Sequence, residues 1–162
     1  GRFVHAKGLK YIIDALELSS DENILVMVGE GDSKGSLIQN IAQRELQQRV
    51  RFFEKVANVE EFYRGSDVFV MSSSYEPFGQ TIIEASACGL PIAAFSEVSG
   101  ANTATHELRL DGICYADTLT GASLHSAIGR ALALSNDKAN LGNGEKTRDL
   151  FSWEALLADL LA

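Results

Sequence analysis

The chain has 162 residues, which suits one domain of ordinary size, and 46% of them are apolar, enough for a full core. Its formal net charge of −8 argues against nucleic acid as a partner and against docking through a generally basic face. A few local cations could still hold an anionic small ligand. No apolar run is long enough to span a bilayer, and no signal peptide is visible at the start.

Apolar runs and helical patterns alternate along the chain. The spacing of Leu9, Ile12 and Leu16 predicts an amphipathic helix over about residues 7–19. The continuous apolar run at 24–28 is typical of a strand buried on both faces, as in parallel sheets. The further predicted elements, in chain order, are a helix carrying Leu37, Ile38, Ile41 and Leu46, a strand at 50–53, a short helix opening at Asn58, a strand at 67–71, a helix that runs to Cys88, strands at 92–95 and 112–115, and helices at about 120–134, 137–150 and 152–161.

This alternation with short connections predicts an α/β fold: one doubly wound, Rossmann-like parallel sheet with helices on both faces, forming a single domain over residues 1–162. Ligands of such sheets bind at the carboxyl ends of the strands. The loops at that edge are predicted to begin at Gly1, Gly29, Glu54, Ser72 and Ser96.

Two carboxylates, Glu76 and Glu84, bracket the most informative stretch of the chain. Glu84 stands between Ile83 and Ala85 in an apolar helical run. A lone buried carboxylate is costly unless something bonds it, and sugar or ribose hydroxyls suit that purpose. A buried helix with a satisfied glutamate remains the alternative.

The turn between these carboxylates contains Pro77, which presets its own backbone and donates no hydrogen bond. The amides that follow are then the unpaired donors of a helix start, and such a start attracts phosphate. These amides belong to Phe78, Gly79, Gln80 and Thr81. An ordinary proline turn is the alternative.

The first loop supplies candidate cations. Arg2 and Lys7 lie on either side of a predicted bend, where a guanidinium and an ammonium could together neutralise a diphosphate. Taken alone, these two residues could equally be solvated surface cations. Their position at the predicted ligand edge of an acidic chain favours binding.

Other motifs predict less. Gly29-Glu30-Gly31 resembles a dinucleotide fingerprint, but Lys34 stands where the third glycine should fall, so a nicotinamide site is rejected. The histidines His5, His106 and His125 are scattered, and no cluster has metal-ligand spacing. No serine has a nucleophile-elbow context.

The two cysteines, Cys88 and Cys114, form neither a metal motif nor a redox motif. This favours free thiols over a disulfide, and hence a reducing compartment. We therefore expect a cytoplasmic protein.

Taken in order, these motifs resemble those of the C-terminal half of a retaining, GT-B-fold glycosyltransferase of family 4, also called group 1. The matching segments are Gly1–Gly8 with G-R-L-x-x-x-K-G, Gly29–Gly31 with the family's G-x-G turn, Val50–Val56 with V-x-F-x-G-x-V, Glu76–Glu84 with E-x7-E, Gly89–Ile92 with G-x-P-V, and Phe151–Glu154 with the closing F-S-W segment. The likeness covers nearly the whole chain, so it is more specific than any one motif.

The resemblance implies a role for each matching residue. Arg2 and Lys7 would hold the diphosphate of the donor, and Glu84 would bond the ribose hydroxyls. Glu76, with the amides of 78–80, would hold the transferred sugar. The amide of Thr81 would add to phosphate binding, and Val56 would border the base. The family usually needs no metal in this domain, because cations and helix amides carry the leaving-group charge.

Several positions depart from the family pattern. Glu54 stands where glycine is usual, and Gln80 stands where leucine is more common. The segment 99–107 replaces the usual G-G-x-x-E, which leaves the match of Glu107 open. Each departure predicts a local difference, near the base for Glu54 and in sugar choice for Gln80.

A GT-B enzyme has two such domains, and the acceptor binds mainly to the N-terminal one, which this sequence lacks. We therefore expect this chain to be a piece of a longer enzyme, with Gly1 inside a motif whose leading strand is truncated. Its partners would be the nucleotide-sugar donor, the missing N-terminal domain and an unknown acceptor glycan or lipid. The whole enzyme would be cytoplasmic or membrane-peripheral.

Two alternatives stay open at this point. One is a non-catalytic nucleotide-binding or partner-docking module of the same fold; the retained Arg2, Lys7, Glu76 and Glu84 count against it. The other is a GT-B epimerase or phosphorylase. The E-x7-E pattern favours transfer to a separate acceptor.

Overall fold

The structure, a computed structural model, describes residues 1–54, 56–76, 79–96 and 110–135. The strands are β1 (Leu25–Val28), β2 (Val50–Phe53), β3 (Phe69–Met71), β4 (Ile92–Phe95) and β5 (Ile113–Ala116). The helices are α1 (Leu9–Glu17), α2 (Lys34–Gln43), α3 (Val59–Arg64), α4 (Gln80–Ala87) and α5 (Gly121–Leu134), with 3₁₀ turns at His5–Lys7 and Gln47–Arg49. The predicted α/β class is confirmed, whereas the helices predicted at 137–150 and 152–161 lie outside the described residues.

All strand pairs in the described residues are parallel, and they form two sheets. One sheet pairs β1 with β2, with Met27 opposite Phe52. The other has the order β3-β4-β5, with Ala93 between Val70 and Cys114. Parallel strands place their carboxyl ends at one edge, so the loops that follow them gather there.

The central strand β4 is buried along its whole length because helices cover both of its faces. Ala93 and Phe95 pack with residues of α1 and α5, whereas Ile92 and Ala94 pack with residues of α3 and α4. This alternation is the two-residue period of a strand. The helices on both faces of β4 agree with the predicted parallel sheet flanked by helices.

Helix α1 links the two sheets. Its Ile13 and Leu16 join the core around β1 and β2, while Ile12 and Ala15 join the core around β4 and β5. A helix that buries adjacent stripes in two cores holds both sheets in one domain.

The burial predicted for the run at 24–28 is wrong for part of this run. Ile24 is 50% exposed and Val26 is 42% exposed. Both residues line a cleft of about 550 Å³ that runs between β1 and β3, whose facing edges are unpaired in the described residues. An apolar run is buried only where a neighbouring element covers it. Among the described residues, no element covers Ile24 and Val26 on the side of the cleft.

Candidate functional site

Two loops meet at the carboxyl edge of the strands. The Ser72 hydroxyl donates to the Lys7 carbonyl at 2.8 Å, and the amide of Ser74 donates to the Ala6 carbonyl at 3.0 Å. These bonds join the segment that precedes α1 to the loop that follows β3. The predicted gathering of the first loop and the fourth loop at one edge is therefore present in the structure.

The approach of these loops depends on Gly8. Its φ of +59° lies in the left-handed region, and a Cβ added there would stand 2.0 Å from the carbonyl oxygen of Ser72. A side chain at this position would therefore push the loops apart, and Lys7 would move with its loop.

The joined loops bring Lys7 and Glu76 together. The Lys7 ammonium forms an ion pair with Oε2 of Glu76, although 69 residues separate them along the chain. The side chains are 29% and 13% exposed, so the pair is partly shielded from water. Such a pair can bind two kinds of group in one small site. The cation attracts a phosphate, and the carboxylate accepts a hydrogen bond from a hydroxyl.

Helix α4 starts shortly after Glu76 in the chain, and its Thr81 lines the same cleft as Lys7. Gly79 precedes it with a φ of +80°, and its carbonyl accepts from the amides of Ile82 and Ile83. None of the described residues accepts a hydrogen bond from the amides of Gln80 or Thr81. Amides without an acceptor among the described residues, together with the positive end of the helix dipole, suit an anion.

Glu84 lies within α4, one turn beyond these amides. Its Oε2 accepts a hydrogen bond of 2.9 Å from the phenol of Tyr63 in α3. The sequence left open a ligand or a protein group as the partner of Glu84, and the structure supplies a protein group for Oε2. Tyr63 was not predicted, because no local pattern links α3 to α4.

Lys7 also lines the cleft between β1 and β3. Gly1, Tyr63 and Thr81 line the same cleft.

The other predicted site residues make no side-chain hydrogen bond or ion pair with Lys7, Glu76 or Glu84 within the described ranges. Arg2 is exposed, and it forms no side-chain ion pair or hydrogen bond within the described ranges; its backbone bridges to Glu30. Val56 is half-buried and follows β2 closely, at the same edge of the fold. Phe78 and Pro77 lie outside the described residues, as do His106 and Glu107.

The glycines of Gly29-Glu30-Gly31 have a packing role that the sequence did not predict. A Cβ on Gly29 would meet the Gly1 carbonyl oxygen at 1.7 Å, and one on Gly31 would meet that of Phe3 at 2.4 Å. The turn after β1 therefore lets the first residues pass close to its backbone, which positions the segment that carries Arg2.

Two absences concern only the part of the chain that the structure describes. There, no group of three histidine, cysteine, aspartate or glutamate side chains could hold a metal ion. No helix in these ranges has the length and apolar character that crossing a membrane requires.

The pKa of Tyr63 predicts how stability responds to alkali. Burial, and next the hydrogen bond to Glu84, raise this pKa well above its ordinary value of 10.0. Above that pH the unfolded chain loses the phenol proton while the folded chain keeps it, so the free energy of unfolding falls as the pH rises. We expect a smaller fall between about pH 8 and about pH 11 in Tyr63→Phe, measured by urea unfolding. An equal fall in both proteins would contradict the assignment.

The parallel α/β fold and the site at its carboxyl edge define a domain of the GT-B glycosyltransferase class. The chain belongs to the family of group 1 glycosyl transferases, whose model matches residues 1–148.

Three individual proteins show this similarity in sequence or in structure. LpsD of Rhizobium meliloti (strain 1021), a lipopolysaccharide core biosynthesis glycosyltransferase, is 31% identical over 96% of this chain and 45% of its own length. Sucrose-phosphate synthase from Thermosynechococcus elongatus has a TM-score of 0.81 at 30% identity, over 99% of this chain and 43% of that chain. HepE from Anabaena, solved in complex with UDP, has a TM-score of 0.73 at 22% identity over 99% of this chain and 46% of that chain, which shows the fold alone. This chain thus spans less than half the length of each of the three.

Proposed function

We propose that this chain is the donor-binding half of a hexosyltransferase. It binds a nucleoside-diphosphate sugar at the carboxyl edge of the strands, and the sugar passes to an acceptor hydroxyl with retention at the anomeric carbon. The observation that carries the proposal is the Lys7–Glu76 ion pair, whose lysine shares a cleft with Thr81 at the start of α4.

The diphosphate occupies the positive part of the site. Arg2, Lys7 and Thr81 line one cleft, where the two cations and the amide of Thr81 can serve the diphosphate. A phosphate that reaches Lys7 competes with the carboxylate of Glu76. Donor binding therefore exchanges one anionic partner of Lys7 for another and leaves Glu76 without its cation.

The released Glu76 accepts hydrogen bonds from hydroxyls of the transferred sugar, and the amides of 78–80 donate to oxygens of the same sugar. Glu84 accepts from the ribose hydroxyls, and Val56 borders the base. Carboxylates suit this purpose because each offers two acceptor oxygens.

The reaction is then a substitution at the anomeric carbon. The acceptor oxygen forms a bond to this carbon on the face from which the diphosphate departs, as retention requires. The bond from the carbon to the phosphate oxygen breaks, and the acceptor proton passes to the departing diphosphate. Lys7 and the helix amides stabilise the negative charge that develops on the diphosphate. Because these groups already meet that charge, we propose that this domain needs no metal.

The relatives support the donor class. HepE of the same fold was solved with UDP, and LpsD is a glycosyltransferase of lipopolysaccharide core biosynthesis. We propose a similar acceptor class, a polysaccharide or glycolipid, bound mainly by a further domain. Without that domain, the 162-residue chain is expected to bind a donor weakly and to transfer no sugar.

A thermal shift assay with UDP, GDP and ADP tests the proposal. A ligand at about 100 times its Kd stabilises the folded state by about 2.7 kcal/mol, which raises the Tm of a domain of this size by roughly 5–10 °C. We expect one of the three diphosphates to give such a shift and the corresponding nucleoside to give much less. No shift with any of them would favour a non-catalytic docking module instead.

A further inference from the structure

Tyr63 and Glu84 form a contact between α3 and α4 that the proposed function does not use. The phenol donates to Oε2 of Glu84 at 2.9 Å, across 21 positions of sequence. We infer that Tyr63 is a positioning residue: it fixes the carboxylate of Glu84 for ribose hydroxyls and so makes the site select ribonucleotides over 2′-deoxyribonucleotides. This inference rests on the proposed function.

The phenol is held firmly enough to act in this way. Tyr63 is 8% exposed, and its ring packs edge-on against Phe69, with 5.7 Å between centroids and 77° between planes. Met71, Ile82 and Leu90 belong to the same core cluster. A ring fixed on its sides by packing aims its hydroxyl in one direction.

The hydrogen bond from Tyr63 makes the two carboxylate oxygens of Glu84 different. Oε2 is occupied by Tyr63, while Oε1 has no hydrogen-bond partner among the residues that the structure describes. A phenol at neutral pH donates one proton, so its hydrogen bond restricts the rotation of the carboxylate. The remaining acceptor positions then point to a defined place, and vicinal hydroxyls can donate to them as a pair.

The core alone does not require the hydroxyl. Its apolar cluster would accept a phenylalanine ring of nearly the same shape, whereas the half-buried Glu84 would lose the one hydrogen-bond partner it has in the described residues. Removing a neutral donor from a charged acceptor usually weakens the function of that acceptor more than it weakens packing.

The test compares Tyr63→Phe with the unchanged protein. Calorimetry measures the Kd of the diphosphate that gives the largest thermal shift (UDP, GDP or ADP) and of its 2′-deoxy counterpart. We expect the unchanged protein to prefer the ribonucleotide by about tenfold, and Tyr63→Phe to reduce this ratio to about threefold or less by weakening ribonucleotide binding alone.

Tyr11→Phe is the matched control. Tyr11 is half-buried and packs edge-on against Phe95, in the core on the opposite face of β4, and its hydroxyl has no hydrogen bond within the described ranges. This variant is expected to keep the ratio of the unchanged protein. Urea unfolding of both variants confirms that each is folded.

A double-mutant cycle separates positioning from a general effect on the fold. If Tyr63 acts through Glu84, adding Tyr63→Phe to Glu84→Gln changes the ratio no further. A ratio unchanged in Tyr63→Phe, or an equal loss of affinity for both nucleotides, would overturn the inference while leaving the proposed function intact. An unchanged protein that binds none of the diphosphates would overturn the proposed function and, with it, this inference.

Discussion

Lys7→Ala is expected to weaken the binding of a nucleoside diphosphate by roughly 10–100-fold, because a charge-assisted hydrogen bond to the leaving group is lost. In this site the ammonium of Lys7 is already held beside the start of α4 by its ion pair with Glu76. Calorimetric titration of UDP, GDP and ADP measures the change in Kd.

Lys10→Ala is the control for the loss of a positive charge. Lys10 is exposed, three residues further along the chain, and its ammonium lies over the ring of Tyr11 at 4.7 Å. Its removal is expected to change the Kd less than about twofold, since exposed charges are screened by water and salt. Equal losses in Lys7→Ala and Lys10→Ala would show that net charge, and not the site, governs binding.

Glu76→Gln should act with the opposite sign on the diphosphate. This change removes the anion that competes for Lys7, so the affinity for a nucleoside diphosphate is expected to stay the same or to rise. The nucleotide sugar should lose affinity relative to its diphosphate, because Glu76 no longer accepts from the sugar as an anion. If both ligands lost affinity in parallel, Glu76 would be a structural partner of Lys7 and not a sugar-binding group.

Gly8→Ala is expected to destabilise the fold by about 2–4 kcal/mol. The left-handed backbone at +59° disfavours any Cβ, and this Cβ would stand 2.0 Å from the Ser72 carbonyl oxygen. The loops that carry Lys7 and Glu76 would separate, so nucleotide binding should fall as well. Urea unfolding and calorimetry measure the two effects.

Gly129→Ala provides the matched control for this substitution. Gly129 lies within α5, and nothing stands within 4 Å of a Cβ added to it. Alanine there is expected to stabilise the protein by about 0.5–1 kcal/mol, because it lowers the conformational entropy of the unfolded chain. A Gly8→Ala protein as stable as Gly129→Ala would contradict the close approach of the two loops.

Local sequence patterns predicted the strands and the gathering of their loops. The segment Val50–Phe53 and the apolar run Ile92–Phe95 mark β2 and β4 at their observed positions, and parallel connection places Lys7 and Glu76 at one edge. These features depend on residues close in sequence and on general rules of connection.

The pairings inside the site could not be predicted in the same way. Lys7 meets Glu76 over 69 positions and Tyr63 meets Glu84 over 21, and no local period encodes either contact. The exposure of Val26 could not be predicted from local sequence either, because elements distant in the chain decide whether a strand is covered. Such contacts are set by tertiary packing, which sequence patterns describe only on average.

The most direct test of donor binding is the mapping of backbone amide shifts by NMR while UDP, GDP or ADP is added. We predict that the largest shifts fall on Gly79–Thr81 at the start of α4 and on Lys7 and Gly8, with smaller ones at Glu84. Shifts confined to residues 24–26 and 68–70 in the cleft between β1 and β3, or spread evenly over the surface, would contradict a diphosphate held by Lys7 and the helix amides.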